Sequence, residues 1–90
     1  MAAYSIRIKR SAAKEIEAIG QRRDRRRVVN KILALGEDPR PQGSEKLAGA
    51  TELYRVRVGT YRILYGVDDA VRIVSVVKVG HRKDAYRGVV

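Results

Sequence analysis

The stretch LYRVRVGTYRILYG, residues 53–66, constrains the fold more than any other part of the chain. Two runs of alternating apolar residues flank Gly59-Thr60, the pattern of a β-hairpin closed by a two-residue turn. A turn of that length sets the register. Val58 then opposes Tyr61, Arg57 opposes Arg62, Val56 opposes Ile63, Arg55 opposes Leu64 and Tyr54 opposes Tyr65. Opposed residues share a face, so one face presents Tyr54, Val56, Val58, Tyr61, Ile63 and Tyr65, fit to pack against helices. The other presents Arg55, Arg57, Arg62 and Leu64. Like charges directly across a ladder destabilise it by up to ~1 kcal/mol. For one arginine a solvated face is explanation enough. Three on one face, two of them opposed, invite an anion that offsets the repulsion.

The flanking segments supply what the hairpin needs to bury its apolar face. Residues 4–9, YSIRIK, alternate strictly and predict a half-buried strand. Ser11 is placed to cap a helix through AAKEIEAI, with Ala12, Ile16 and Ile19 on one stripe and Gly20 as its stop. A second helix is expected from about Asp24, with Val28, Val29, Ile32, Leu33 and Leu35 facing inward and Gly36 and Pro39 ending it. EDPRPQGS, residues 37–44, is too short to separate domains and reads as a connection. EKLAG suggests a short strand. VRIVSVVKVG is apolar on both faces, as a strand near the middle of a helix-covered sheet would be. The predicted order is strand, helical hairpin, then a mainly antiparallel sheet and a polar tail, an α+β fold in one domain spanning residues 1–90.

With 90 residues, the chain can bury little more than ~60% of its unfolded surface and form one modest core. It has no cysteine and one histidine, so disulfides and thiolate sites are excluded and neither a metal nor a cofactor is expected. No signal-peptide h-region and no run of membrane-spanning length is present, so the expected location is the cytoplasm, with no membrane partner. Twenty Lys and Arg against ten Asp and Glu give a formal charge of +10. A field of that sign favours nucleic acid, an anionic membrane or an acidic protein, and composition alone does not rank the three.

Two further basic groups stand out. Directly after the last strand come His81, Arg82, Lys83 and Asp84, then Tyr86 and Arg87. Leaving a central strand, they are expected beside the arginine face, bringing a group that titrates near neutrality, a guanidinium and a phenol. Those are components of phosphodiester chemistry: charge stabilisation for a phosphorane, proton transfer, and a ring on which a base stacks. RRDRRR, residues 22–27, lies at the interhelical turn. As a charge run it reads first as a solvated helix start. Its functional reading is a grip on RNA phosphates away from the chemistry, or on acidic residues of a partner.

KLAGATELYRVRVGTYRILYGVDD and VVKVGHRKDAYR together resemble the RelE/ParE superfamily of toxins from prokaryotic toxin–antitoxin systems, and RelE-like mRNA interferases most closely. The resemblance rests on a basic strand, a glycine turn followed by Tyr-Arg, and a Gly-x-Arg…Tyr ending. It implies a compact RelE-like, microbial-ribonuclease-like domain that cleaves translated mRNA, in many members on the ribosome, by attack of a ribose 2′-hydroxyl on the adjacent phosphate. It further implies a cognate antitoxin, expected to be acidic and partly flexible, in a hetero-oligomer that binds DNA through the antitoxin. By position, Arg62 and Arg82 correspond to phosphate-binding arginines, Tyr86 to a base-stacking tyrosine, and Arg55 and Arg57 to the basic strand pair. Lys83 and Arg87 extend the expected RNA contact.

One departure matters. The strand pair is often lysine in such toxins, and a permanently protonated guanidinium is a poor general base. His81 is the side chain near the motif suited to acid–base work, with Glu45 and Glu52 as weaker candidates. Two other functions stay open on the residues: a ParE-like DNA gyrase inhibitor acting by binding, and a nucleic-acid-binding module that does not cleave.

Overall fold

The computed structural model describes residues 3–47 and 53–81, which form β1 (Ser5–Ile8), α1 (Arg10–Glu17), α2 (Arg22–Leu35), β2 (Glu45–Lys46), β3 (Leu53–Val58), β4 (Tyr61–Asp68) and β5 (Ile73–His81). Glu52 and the tail residues Arg82, Lys83, Tyr86 and Arg87 lie outside the described residues. The strands make one mixed sheet in the order β1-β5-β4-β3-β2. β1 runs parallel to β5, and every other pairing is antiparallel. The hairpin register is the one its turn dictates, from Val58 opposite Tyr61 to Tyr54 opposite Tyr65.

Both helices cover one face. The core joins Ala12, Ile16 and Ile19 with Val28, Ile32 and Leu35, and sets them against Tyr54, Val56, Ile63, Tyr65, Val67, Val74, Val76 and Val79. Each such aliphatic side chain, fully buried, stabilises the fold by about 1.5–3 kcal/mol in transfer terms. Val29 and Leu33, expected inward, are 37% and 59% exposed. Val28, Ile32 and Leu35 form the i, i+4, i+7 stripe, and residues one position on from it point about 100° away.

The helix ends also differ from expectation. Ser11 is not the cap of α1: Lys9 is, with no side-chain cap bond, and Ser11 falls inside the first turn. The Lys9 amide donates to the Val76 carbonyl at 2.9 Å, so the strand hands over to the helix directly. At the other end α1 closes at Ala18, before Gly20 is reached. Gly36 caps α2 in the right-handed region, so it is not needed for a left-handed turn. Its role is close approach. The Tyr4 amide donates to the Gly36 carbonyl at 2.8 Å, and a side chain there would begin 3.1 Å from the Tyr4 oxygen.

A polar clamp locks the 37–44 connection to the sheet. Arg40 donates to both carboxylate oxygens of Asp69, at 3.2 and 2.8 Å, and from Nε to the Tyr54 hydroxyl at 3.0 Å. The Tyr4 hydroxyl donates to the same carboxylate at 2.6 Å. Hydrogen bonds from Arg40 and then Tyr4 hold the Asp69 carboxyl below its usual range, while the Asp69 carboxylate raises the Tyr4 phenol. Tyr65 stacks on Tyr54 and donates to the Pro39 carbonyl at 2.8 Å; burial is the main cause of its raised pKa.

Candidate functional site

The face of the sheet away from the helices is organised in cross-strand rows. Arg57 of β3, Arg62 of β4 and Gly80 of β5 form one row at the hairpin end. Glu45, Arg55, Leu64 and Lys78 form the next. Arg57 is exposed, while Arg55 and Arg62 are half-buried, with Nε of Arg62 shielded from solvent. Gly80, opposite Arg62 on β5, contributes no side chain to this row. Glu45 pairs with Arg55 across the β2–β3 ladder. The row therefore ends in a carboxylate on the same face as the guanidinium groups.

The hairpin can hold this arrangement because its turn is built for a right-handed ladder. Gly59 takes φ +59 and Thr60 does not enter the left-handed region, the pattern of a type II′ turn.

His81 falls elsewhere than the sequence suggested. In β5 Val74 and Val76 face the helices, so strict alternation would turn Lys78 and Gly80 inward and His81 outward. The register shifts between Leu64 and Tyr65, where Val77 becomes the extra residue of a bulge. Beyond it Val79 packs in the core, Lys78 reaches the edge, and His81 opposes Tyr61. The imidazole therefore stands on the helix side, edge-on to the Tyr61 ring at 6.0 Å. It shares a shallow groove of about 270 Å³ with Glu15, Ala18 and Ile19 of α1. The α1 carboxylate of Glu15 anchors this strand end, accepting from Lys78 Nζ at 2.8 Å and the Val79 amide at 3.0 Å. The signal was present in Val76-Val77-Lys78-Val79: two valines followed by a lysine cannot keep a period of two without burying the charge.

A second basic surface flanks the first. Arg27, Asn30, Lys31 and Ala34 of α2 face Arg57, Val58 and Gly59 across a groove of about 440 Å³. It adjoins another of about 300 Å³ lined by Arg22, Arg23, Arg26, Arg27 and Asn30.

In this chain a helix pair covers one side of a five-stranded mixed sheet and the arginine row lies on the other. Residues 6–86 match the family described as ParE toxin of type II toxin-antitoxin system, parDE, and the chain belongs to that family. It is a type II toxin of the RelE kind. Toxin RelG of Mycobacterium tuberculosis is 33% identical over 75 residues, 73% of this chain and 86% of that protein. Among solved structures, a chain of the intact Escherichia coli RelBE toxin–antitoxin complex superposes with a TM-score of 0.76 at 30% identity, over 88% of this chain and 96% of the other. A chain of a RelBE complex from Mycobacterium tuberculosis gives 0.78 at 27% identity, over 89% and 99%.

Proposed function

We propose that this toxin is an endoribonuclease that cuts translated mRNA on the ribosome. The observation that carries the reading is the Arg57–Arg62–Gly80 row: two arginines directly opposed across the ladder, next to a residue with no side chain, on the sheet face opposite the helices. A ribose 2′-oxygen attacks the adjacent phosphorus and the 5′-oxygen leaves, taking a proton from solvent, to give a cyclic phosphate and a free 5′-hydroxyl. Negative charge builds on the phosphorane oxygens, and donors already aimed there lower the barrier. Arg57 and Arg62 fill that role, with Arg82 as the next phosphate ligand and Tyr86 as the stacking ring. Arg55, Lys83 and Arg87 hold the flanking strand.

Among the described residues of this face, the group able to accept the 2′-proton is Glu45, not an arginine. His81, on the other face, is assigned no step. Glu45→Gln should therefore lower the single-turnover rate by about 10²-fold, and His81→Ala should leave it near the wild-type value. If the histidine variant alone loses rate, the base assignment reverses.

An antitoxin partner is supported by the toxin–antitoxin complexes among the structural neighbours. An acidic, flexible antitoxin suits the +10 charge and would cover or displace the groups of the arginine face. The competing reading is gyrase inhibition, which the family's ParE description keeps in view. The purified toxin added to programmed ribosomes should leave mRNA fragments with 5′-hydroxyl ends. Intact message together with blocked gyrase supercoiling would replace this reading with the other.

A further inference from the structure

α2 is built against its own stability. Its residues 22–35 carry Arg22, Arg23, Arg25, Arg26, Arg27 and Lys31 against the single acid Asp24. Arg22 and Arg26, Arg23 and Arg27, and Arg27 and Lys31 are like-charged at i, i+4, a destabilising spacing. Five of the six cations also crowd the first turns, where the helix dipole already presents positive charge. Among the described residues no carboxylate pairs with Arg22, Arg23, Arg26, Arg27, Lys31 or Arg57. A helix merely facing water would gain from interspersed glutamates. A local rule broken this consistently, without a structural partner, points to an external one.

The fold then concentrates these cations. Arg27 is shared by both adjoining grooves, and its guanidinium lies over the Gly59 backbone, near 3.5 Å from where a Cβ would stand. Across the larger groove stands Arg57, the exposed end of the arginine row. Arg23, Arg27 and Lys31 repeat one turn apart, a rise of about 6 Å per step, so they form a ladder of charge along the helix. Among the described residues, no acidic or aromatic side chain lines either groove.

We infer that the α2 grooves are a second RNA-backbone site, continuous with the arginine row around the β3–β4 turn. The site grips phosphates of RNA outside the cleaved dinucleotide and contributes affinity rather than chemistry. Arginine forks suit phosphate oxygens, and a repeating ladder suits a repeating polyanion. The absence of aromatic lining fits contact with backbone rather than with bases. This inference rests on reading the arginine row as an RNA site, and deepens it.

The test is binding, separated from cleavage. A labelled single-stranded RNA with 2′-O-methyl riboses, which cannot undergo 2′-attack, is titrated with the toxin across a salt series. Arg23→Gln/Arg27→Gln/Lys31→Gln should weaken binding by on the order of 10-fold or more at low salt, and reduce the log–log salt slope by roughly 2, about 0.7 per lost contact. Arg23→Lys/Arg27→Lys, which keeps the charge, should retain most of the slope. Lys9→Gln/Arg10→Gln/Lys14→Gln removes the same charge from the other helix region and should change the slope much less. Equal losses from both triple variants would mean general electrostatics and overturn the site. So would unchanged RNA binding by the α2 variant with weakened binding to polyglutamate, which would assign the groove to an acidic protein segment. A wild type that binds the RNA with the expected slope but cuts no message would sink the nuclease reading and leave this one standing.

Discussion

The two ends of the sheet treat charge in opposite ways. At the end where the 37–44 connection meets β1 and the β4–β5 turn, cation and anion are matched. Arg40 is held by Asp69, Asp69 also accepts from Tyr4, and Asp68 caps the turn by accepting from the Ala70 and Val71 amides. At the hairpin end, Arg57 faces Arg62 across the ladder, and Arg27 and Lys31 converge on Arg57 from α2. The first arrangement holds a fold together without outside help. The second sets like charges directly across a ladder, an arrangement that costs up to ~1 kcal/mol and favours a bound anion. Matched charge holds the fold at one end; crowded like charge at the other is what the proposed function uses.

The largest effect should come from breaking the crowded end. Arg57→Ala should cut the single-turnover cleavage rate by roughly 10²-fold or more, the scale seen when a transition-state donor is removed. The same change relieves a like-charged pair, so stability should hold or rise slightly. Arg62→Ala should lose rate to a similar degree. If Arg57→Ala instead lowers the melting temperature while the folded variant keeps its rate, the row is structural and the contrast between the two ends fails.

The sequence disclosed the fold and the arginine row for the same reason: a two-residue turn leaves no freedom of register, so every opposition from Val58–Tyr61 to Tyr54–Tyr65 follows from Gly59-Thr60. It misplaced His81 because one bulge residue, Val77, reverses every side chain after it. Periodicity counts residues and is blind to an insertion unless a buried charge would result, as at Lys78. Val29 and Leu33 were misjudged for another reason. Hydrophobicity alone does not fix the width of the buried stripe on a helix that lies on a sheet. The Glu45–Arg55 pair depended on the pairing of a two-residue strand, too short to carry any alternation.

Breaking the matched end should affect stability and spare the chemistry. Arg40→Ala removes charge-assisted hydrogen bonds to Asp69 and Tyr54, so the melting temperature should fall, and solvent screening of this exposed pair keeps the fall modest. The linkage has a definite sign. The folded-state pKa of Asp69 is depressed, so its contribution is present above the unfolded value, ~3.9, and lost as pH falls through the lower folded one. Tyr4 behaves oppositely: its raised pKa gives a contribution that is present below the unfolded value, ~10, and lost as pH rises through the folded one. Melting temperature followed against pH should fall at both extremes, and Asp69→Asn should blunt both falls. A variant that melts with the wild-type pH profile would show that the clamp is not the source.

The smallest effect compares the two turns directly, since each end of the sheet closes with nearly the same left-handed angle. At the hairpin, Gly59 takes φ +59; at the β4–β5 turn, Arg72 takes φ +57. For a residue with a Cβ, the left-handed region costs roughly 1–2 kcal/mol. Glycine avoids that but gives up more chain entropy on folding, about 0.5–1 kcal/mol. The difference leaves about 0.5–1 kcal/mol in favour of glycine at position 72. Arg72 persists because its neighbours fix it, with its carbonyl accepting from the Ser5 amide at 2.9 Å and the preceding turn capped by Asp68. Arg72→Gly should therefore stabilise the protein by that amount, leaving the carbonyl bond to β1 intact. Gly59→Ala should destabilise by more than that through the backbone alone, because the first position of a type II′ turn suits a Cβ less than the αL region does, while the added methyl would meet only the Arg27 guanidinium at ordinary contact distance. Chemical denaturation of the two variants checks both signs. A loss of stability in Arg72→Gly would mean that the arginine side chain supports the matched end in a way its backbone angle does not reveal.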